Sequence, residues 1–237
     1  SMRGARVLRA AGRFIGACAL AVALVIALVI VSLRFINPPA SSFTLQENWL
    51  GDDAGGWVSF QWRPLEAISK QMILAVVAAE DQRFFQHHGL DFIELRNSLR
   101  EASASRTARP RGASTITQQT AKNLFLWSGR SYPRKLLEAA LALAIDFAWG
   151  KRRTLEVYLN IVQFGPGVYG IERASSHFFD KPASRLTRHE AARLAAVLPA
   201  PNLRSPRDAD AATERRRQWI LRQMRALGGV SFLRRLD

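Results

Sequence analysis

Two adjacent carboxylates, Glu80 and Asp81, stand at the end of an uncharged apolar stretch that begins at Met72. A carboxylate that leaves water for apolar surroundings binds a proton more readily, and this property suits a general base. Glu80 is therefore a candidate catalytic base, with a solvated pair of charges at a helix end as the alternative. His87 and His88 follow, but no His-x-x-x-His or similar ligand set accompanies them, so the sequence predicts no metal site built from side chains.

A second run, G-A-S-T-I-T-Q-Q-T-A-K-N over residues 112–123, places hydroxyl, amide and lysine side chains at the start of a predicted helix. Such side chains suit sugar hydroxyls and phosphate oxygens, and the unpaired N–H groups of a helix N-terminus attract anions. The alternative is that Ser114 or Thr115 only caps the helix. The polar, basic segment 103–112 is broken by Pro110 and is predicted to form a mobile loop.

A third run, R-K-L-L-E over residues 134–138, brings two cations and a carboxylate onto one helix face. Arg134 and Glu138 are four residues apart and Lys135 and Glu138 are three apart, which are the spacings of neighbours on a helix surface. The alternative is a surface salt-bridge cluster, worth only about 0.3–0.5 kcal/mol per pair.

The composition is strongly basic, with 34 Lys and Arg against 19 Asp and Glu and a net charge of +15. A surface of this kind attracts an anion, and charge alone does not choose among nucleic acid, lipid headgroups and a pyrophosphate substrate. An apolar fraction of 48% in 237 residues is ample for one packed domain and excludes wholesale disorder. The single cysteine, Cys18, excludes an intrachain disulfide.

Residues 14–33 form an apolar run of twenty residues without a charge. As a helix rising about 1.5 Å per residue, this run matches a hydrocarbon core of roughly 30 Å. A cleaved signal peptide is the alternative, but its apolar region would be about 7–15 residues long and end in a small-residue cleavage site. The arginine-rich residues 1–13 predict a cytoplasmic N-terminus, so the chain after the anchor should face outward.

The rest of the chain is predicted to contain a linker and one mainly α domain. Residues 34–56 include Pro38 and Pro39 and are predicted to be a stalk or linker, and residues 57–237 are predicted to be the domain. Alternating residues over 58–62 favour a short strand. Apolar spacing and capping signals predict helices after Pro64, from about Ser114, from Pro133 to Gly150, over 154–160, after a Thr187–Glu190 capping box and over 213–227. The apolar residues predicted to face the core before Gly150 are Leu136, Leu137, Ala140, Ala144 and Phe147.

Four motifs occur in order and together carry a family resemblance. They are E-D-x-x-F-x-x-H-x-G at 80–89, G-x-S-T-I-T-Q-Q-x-x-K-N at 112–123, R-K-x-x-E at 134–138 and L-E-x-Y-L-N at 155–160. The combination resembles the glycosyltransferase module of the peptidoglycan polymerases, which include the class A penicillin-binding proteins. The resemblance covers about residues 60–205 and is closest to the monofunctional form, because the sequence lacks the Ser-x-x-Lys motif of a transpeptidase domain.

The resemblance implies a lysozyme-like, mainly α fold after one transmembrane helix, and an inverting glycosyl transfer. The 4-hydroxyl of an acceptor N-acetylglucosamine joins C1 of a donor N-acetylmuramic acid, and undecaprenyl pyrophosphate leaves. Glu80 would be the general base, with Asp81 and His87 shaping its surroundings. Residues implied to line the donor site are Ser114, Gln118, Gln119, Lys122 and Asn123, with Lys122 meeting phosphate.

The resemblance also implies a role for the third motif and a set of partners. Glu138 would lie beside the pyrophosphate and organise Arg134 and Lys135. No cofactor is required, although a divalent cation such as Mg²⁺ or Mn²⁺ could accompany the pyrophosphate at Glu138. The implied partners are lipid II, the growing glycan, membrane lipid and other cell-wall synthesis or division proteins, and not nucleic acid. The domain would work on the periplasmic side of the bacterial inner membrane, with the segment 90–126 expected to dip into the lipid surface.

Two other functions stay open at this point. A lysozyme-like lytic enzyme also uses carboxylates on a helical fold, but it has no need for phosphate-binding cations. A non-enzymatic, membrane-anchored anion binder would explain the charge, and it predicts that removing the Glu80 carboxylate changes nothing.

Overall fold

The computed structural model describes residues 2–50, 58–104, 114–129 and 131–236. It divides the chain into two units, residues 1–37 and residues 38–237. Most of the predicted loop at 103–112 lies outside the described residues, as do residues 51–57, which are the end of the predicted linker and the first residue of the predicted domain.

The first unit is built on one long helix, α1 (Met2–Leu33). Its stretch Ala11–Leu33 is 23 residues long and apolar enough to cross a membrane. Large apolar side chains such as Phe14 and Leu28 are exposed along it, as lipid would require. The helix also continues through the arginine-rich residues before the apolar run, so it is longer than the predicted 14–33 span.

The second unit is mainly α. Its helices are α2 (Ser42–Leu50), α3 (Lys70–Glu80), α4 (Phe92–Ala104), α5 (Ile116–Phe125), α6 (Tyr132–Ile161), α7 (Ile171–Phe179), α8 (Arg188–Val197) and α9 (Ala211–Ala226). Short 3₁₀ helices cover Leu65–Ala67, Phe84–Gln86, Ala183–Arg185 and Gly229–Leu236. Two strands, β1 (Gln163–Gly165) and β2 (Val168–Tyr169), pair antiparallel.

Helix α3 is the centre of the core. All its residues from Met72 to Ala78 are buried, because it packs against α8 and α9. Burial on every side explains its nearly continuous apolar sequence. The helix predicted after Pro64 begins later than expected, since a 3₁₀ turn precedes it and Ser69 takes the N-cap position. It ends at Glu80, as predicted, so the polar end of a buried helix carries the candidate base.

The region before α3 differs from the sequence prediction at two places. The predicted linker 34–56 contains helix α2, and residues 58–62 do not form a strand. The side-chain amide of Asn48 in α2 contacts the first residue of the segment 58–62: it accepts from Val58 N over 2.7 Å and donates to Val58 O over 3.1 Å. These bonds satisfy the backbone groups that a neighbouring strand would otherwise pair.

The helix ends follow the capping signals in the sequence. Thr187 and Glu190 form the predicted capping box at the start of α8. A second box opens α5, where the Thr115 hydroxyl accepts from Gln118 N and the Gln118 side chain accepts from Thr115 N. The backbone donors of a first helical turn are satisfied in this way, which sets where each helix begins.

Helix α6 reverses the predicted orientation of its apolar stripe. Leu136, Leu137, Ala140, Ala144 and Phe147 were predicted to face the core, and all of them are exposed. The buried positions of this half carry charged side chains together with apolar ones: Arg134, Glu138, Ala142, Ile145, Asp146 and Trp149. Helical periodicity identifies two faces but not which face packs inward. The helix runs on past the predicted stop at Gly150, where a backbone φ of 71° produces a kink.

Gly170 offers a test of this packing. Its φ is +80°, and an added Cβ would lie 2.6 Å from the backbone oxygen of Asn160. Gly170→Ala is expected to destabilise the protein by about 3 kcal/mol through left-handed strain and overpacking. The measurement is the thermal unfolding temperature of the full chain in detergent. Gly167→Ala is the matched control, because its φ is +65° but its Cβ would meet open space. Equal shifts for the two variants would contradict the steric argument.

Candidate active site

A cavity of about 1110 Å³ opens at the C-terminal end of α3. Its walls come from the end of α3 and the turn after it, from α4, from the residues before α5 and from α9. Its volume suits a large polar ligand rather than a single ion. Polar and aromatic residues that line it include Glu80, Arg83, Ser114, Arg215, Arg216 and Trp219.

Glu80 faces this cavity with a side chain that is 11% exposed. Arg216 of α9 donates from Nη2 to Glu80 Oε1 over 2.8 Å. Gln119 of α5 donates from Nε2 to Glu80 Oε2 over 2.8 Å. A guanidinium on one oxygen and an amide on the other hold the carboxylate in one orientation. Two carboxylate oxygens offer about four acceptor positions, so a substrate hydroxyl can still approach.

The side-chain amide of Gln119 is oriented by a second hydrogen bond, on the side away from Glu80. Tyr158 of α6 is fully buried and donates from its hydroxyl to Gln119 Oε1 over 3.0 Å. Burial raises the pKa of Tyr158 well above its ordinary value, and the negative charge of Glu80 adds to that shift. The phenol therefore stays protonated and keeps donating to the amide.

Asp81 and His87 tie the end of α3 to the start of α5. Both are buried, and His87 Nε2 lies 2.9 Å and 3.0 Å from the two carboxylate oxygens of Asp81. Asp81 Oδ2 also accepts from Ile116 N over 3.0 Å, at the first turn of α5. Asp81, the residue after Glu80, therefore joins the end of α3 to α5, and His87 holds the Asp81 carboxylate.

A cation cluster lies at the N-terminal end of α6. Arg134 Nη1 donates to Glu138 Oε2 over 3.0 Å, and Lys135 Nζ donates to Glu138 Oε1. Lys135 Nζ also donates to Ser114 Oγ over 2.8 Å, and Ser114 lines the cavity beside Glu80. Arg134 and Glu138 are buried, whereas Lys135 is half exposed. Ser114 therefore connects the cation cluster to the cavity that holds the candidate base.

Lys122 of α5 is influenced by the charges of the cation cluster and of Glu80. Burial lowers its pKa, the positive charges of Arg134 and Lys135 lower it further, and the carboxylates of Glu138 and Glu80 oppose the shift. Its Nζ lies 5.7 Å from the ring centre of Phe43, a cation–π distance. The charges of both the cation cluster and Glu80 therefore act on Lys122.

Two expected donor-site residues have a different environment. Gln118 is buried and its side chain closes the capping box at the start of α5, so it supports the helix. Asn123 is also buried on α5. The sequence signal for the cap was present, because Thr115 and Gln118 have the spacing of a capping box.

Two contacts of the site were not foreseen from the sequence. Arg216 belongs to a run of three arginines in α9, and nothing in that run distinguishes the one that meets Glu80. Tyr158 lies inside the L-E-x-Y-L-N motif but was assigned no role. Only the packing of α9 against α3, and of α5 against α6, shows which side chains reach the site.

A group of three potential metal ligands, Asp81, His87 and Asp91, lies within 4.8 Å in the described part of the chain. Asp91 Oδ2 already accepts from Arg83 Nε over 2.9 Å, and Asp91 Oδ1 accepts from the backbone N–H groups of Ile93 and Glu94. Asp81 is occupied by His87 and by α5. These carboxylates are satisfied by protein donors, so the group fits a structural network better than a cation site.

Comparison with known proteins identifies the family. A family model described as transglycosylase matches residues 50–225. Relatives named biosynthetic peptidoglycan transglycosylase include one from Marinomonas sp. that is 48% identical over 86% of this chain and 87% of its own length. A relative from Aeromonas hydrophila is 45% identical over 95% and 94%, and one from Citrobacter koseri is 53% identical over 79% and 77%. The expected mainly α, lysozyme-like fold after an apolar helix is confirmed. The chain belongs to the transglycosylase family.

Proposed function

We propose that this membrane-anchored enzyme polymerises peptidoglycan glycan strands from lipid II. The 4-hydroxyl of the acceptor N-acetylglucosamine attacks C1 of the donor N-acetylmuramic acid, the new glycosidic bond forms with inversion, and the bond to undecaprenyl pyrophosphate breaks. One observation carries the proposal. Glu80 and Ser114 line the same cavity, and Ser114 Oγ accepts from Lys135 Nζ of the cation cluster, so the candidate base and the cluster of Arg134, Lys135 and Glu138 are joined through Ser114.

In this proposal Glu80 takes the proton of the acceptor hydroxyl as the new bond forms. Arg216 and Gln119 hold its two oxygens and leave acceptor positions for that hydroxyl. A positioned base of this kind contributes about 10²–10⁴-fold to the rate. The other residues near the base, Asp81 and His87, support its position by joining α3 to α5.

The cation cluster would stabilise the leaving pyrophosphate. Negative charge grows on that group as the glycosidic bond breaks, and fixed cations lower the energy of the transition state. Lys135 is half exposed and Lys122 is partly exposed, so both amines are accessible to phosphate oxygens. The Nε of Arg134 is buried and has no acceptor among the described residues, and a phosphate oxygen would satisfy it.

A divalent cation at Glu138 has no part in this proposal. Both carboxylate oxygens of Glu138 already accept from cations, Oε2 from Arg134 and Oε1 from Lys135. The side chain is also 3% exposed. The residues present therefore fit a cation-neutralised pyrophosphate and do not fit a metal ligand set.

A lytic, lysozyme-like activity fits this arrangement poorly. Hydrolysis of finished glycan releases a sugar hydroxyl, which needs a proton and not a group of cations. Arg134 and Lys135 both pair with the carboxylate of Glu138, which suits a diphosphate leaving group.

The exposed apolar face of α6 supports a position at the lipid surface. Phe147 is 94% exposed and Leu136 is 73% exposed, and Leu137 and Leu143 continue the same face. An apolar surface of this extent marks an interaction with lipid or protein. We assign it to lipid, because α1 anchors the chain and the substrate carries a polyisoprenyl tail.

The expectation that residues 90–126 dip into the lipid is only partly compatible with the structure. Phe92, Ile93 and Leu95 of α4 are exposed. Ile116 and Leu124 of α5 are buried in the protein, so that part of the expectation is wrong.

The proposed location is the bacterial inner membrane with a cytoplasmic N-terminus, as the arginines before the apolar run favour. Other cell-wall synthesis proteins remain proposed partners.

Glu80→Gln tests the base. The variant is expected to fold and bind lipid II but to polymerise it at least about 10²-fold more slowly, because the amide cannot take a proton. The measurement is glycan formation from purified lipid II by the full chain in detergent. Glu66→Gln is the matched control, since Glu66 is an exposed carboxylate outside the cavity. Undiminished polymerisation by Glu80→Gln would exclude the proposed base, and cleavage of preformed wall by the wild type would favour a lytic enzyme.

The lowered pKa of Lys122 predicts a pH effect. Because burial lowers it, Lys122 loses its proton at a lower pH than an ordinary lysine does, and polymerisation should fall on the alkaline side. Arginine keeps its charge at all working pH values, so Lys122→Arg is expected to move the alkaline limb of kcat/KM to higher pH. Lys70→Arg, at the exposed start of α3, is the control. The same alkaline limb in wild type and Lys122→Arg would show that Lys122 does not set it.

The lipid contact is tested by spin labelling. With Cys18→Ala removing the native cysteine, Phe147→Cys receives a label and the full chain is placed in vesicles. The label is expected to be more accessible to oxygen than to a water-soluble nickel complex. A label at Asp208→Cys, an exposed polar position, is expected to show the reverse. Equal accessibility of the nickel complex at both positions would refute the lipid assignment.

A further inference from the structure

Three side chains form a chain of hydrogen bonds that ends on the candidate base. The Tyr158 hydroxyl donates to Gln119 Oε1 over 3.0 Å, and Gln119 Nε2 donates to Glu80 Oε2 over 2.8 Å. Arg216 closes the other side by donating to Glu80 Oε1. Tyr158 lies in the core behind α5 and is fully buried, so it does not itself meet the cavity.

The orientation of the Gln119 amide decides whether these hydrogen bonds can form. The oxygen of Gln119 only accepts hydrogen bonds, and its nitrogen only donates them. If the amide turned over, its oxygen would face the carboxylate of Glu80, and the two acceptors would repel each other. A donor on the far side prevents this, because it pairs with the amide oxygen and leaves the amide nitrogen facing Glu80.

The Tyr158 hydroxyl is suited to be that donor. Its raised pKa, caused by burial, keeps the proton on the phenol throughout the working range of the enzyme. The ring is fully buried in the apolar core, which limits the movement of the hydroxyl. Tyr158 also follows the kink at Gly150 on the same helix that carries the cation cluster.

We propose that Tyr158 is a positioning residue for the glycosyl transfer, acting on Glu80 through Gln119. This inference rests on the proposed role of Glu80 as the base, and it reassigns Gln119 from the donor site to the support of that base. Loss of the hydroxyl frees the amide to turn, and the carboxylate then loses one of the two donors that orient it. A small displacement of a catalytic group is enough to slow a reaction considerably.

Tyr158→Phe removes one oxygen atom and leaves the ring in the core. It is expected to lower kcat about tenfold, in the range seen when a catalytic group loses its orientation, and to leave KM within about twofold. Tyr169→Phe is the matched control, because Tyr169 is also buried but its hydroxyl contacts Glu47 at 3.5 Å and not the site. It is expected to retain the wild-type kcat.

A double-mutant cycle separates positioning from a general loss of structure. Tyr158→Phe, Gln119→Ala and the double variant are assayed with lipid II on the full chain, and each kcat is divided by the folded fraction measured by circular dichroism. If Tyr158 acts through Gln119, the double variant is no slower than Gln119→Ala alone. Independent effects would multiply instead, which would overturn the proposal, as would a wild-type kcat for Tyr158→Phe.

Glu80→Gln in the same assay distinguishes failure of the positioning role of Tyr158 from failure of the base role of Glu80. If Glu80→Gln is inactive while Tyr158→Phe keeps full kcat, the base stands and the positioning role is wrong. If Glu80→Gln is active, the base assignment itself fails and the positioning role fails with it.

Discussion

A negative charge beside an apolar core has to be stabilised by its neighbours, and this requirement organises the centre of the molecule. The buried residues 72–78 of α3 lead directly to the carboxylate of Glu80. An ionised group left unpaired at such a place would cost several kcal/mol. Arg216 of α9 and Gln119 of α5 are its partners, so the packing of these helices and the assembly of the site are a single arrangement.

Helix α6 contributes residues to the site from both sides of its kink. Before the kink at Gly150, its inner face carries Arg134 and Glu138, and its outer face exposes apolar side chains. After the kink, Tyr158 lies behind the candidate base. A helix that buries charged side chains and exposes apolar ones is unusual in water, but it suits the proposed substrate, which has a diphosphate headgroup on a lipid tail.

Errors in the sequence prediction arose where a side chain replaced a backbone partner or where two helix faces were equivalent in pattern. The segment 58–62 was expected to form a strand, but the backbone of its first residue, Val58, pairs with the side-chain amide of Asn48. The apolar stripe that ends at Phe147 was assigned to the core because periodicity contains no information about what lies against each face. The C-terminal end of α3 at Glu80 and the capping box of α8 were predicted correctly, since both depend on local sequence.

The sequence by itself determined the apolar anchor, the mainly α class, the caps and the ordered motifs that mark the family, because these depend on neighbours along the chain or on residue types at short spacing. The tertiary structure decided which of three consecutive arginines reaches Glu80, that Gln119 pairs with the base, and that Tyr158 donates to that amide. Those contacts join residues that are 39 or more positions apart, and only the packing of helices brings such residues within hydrogen-bonding distance.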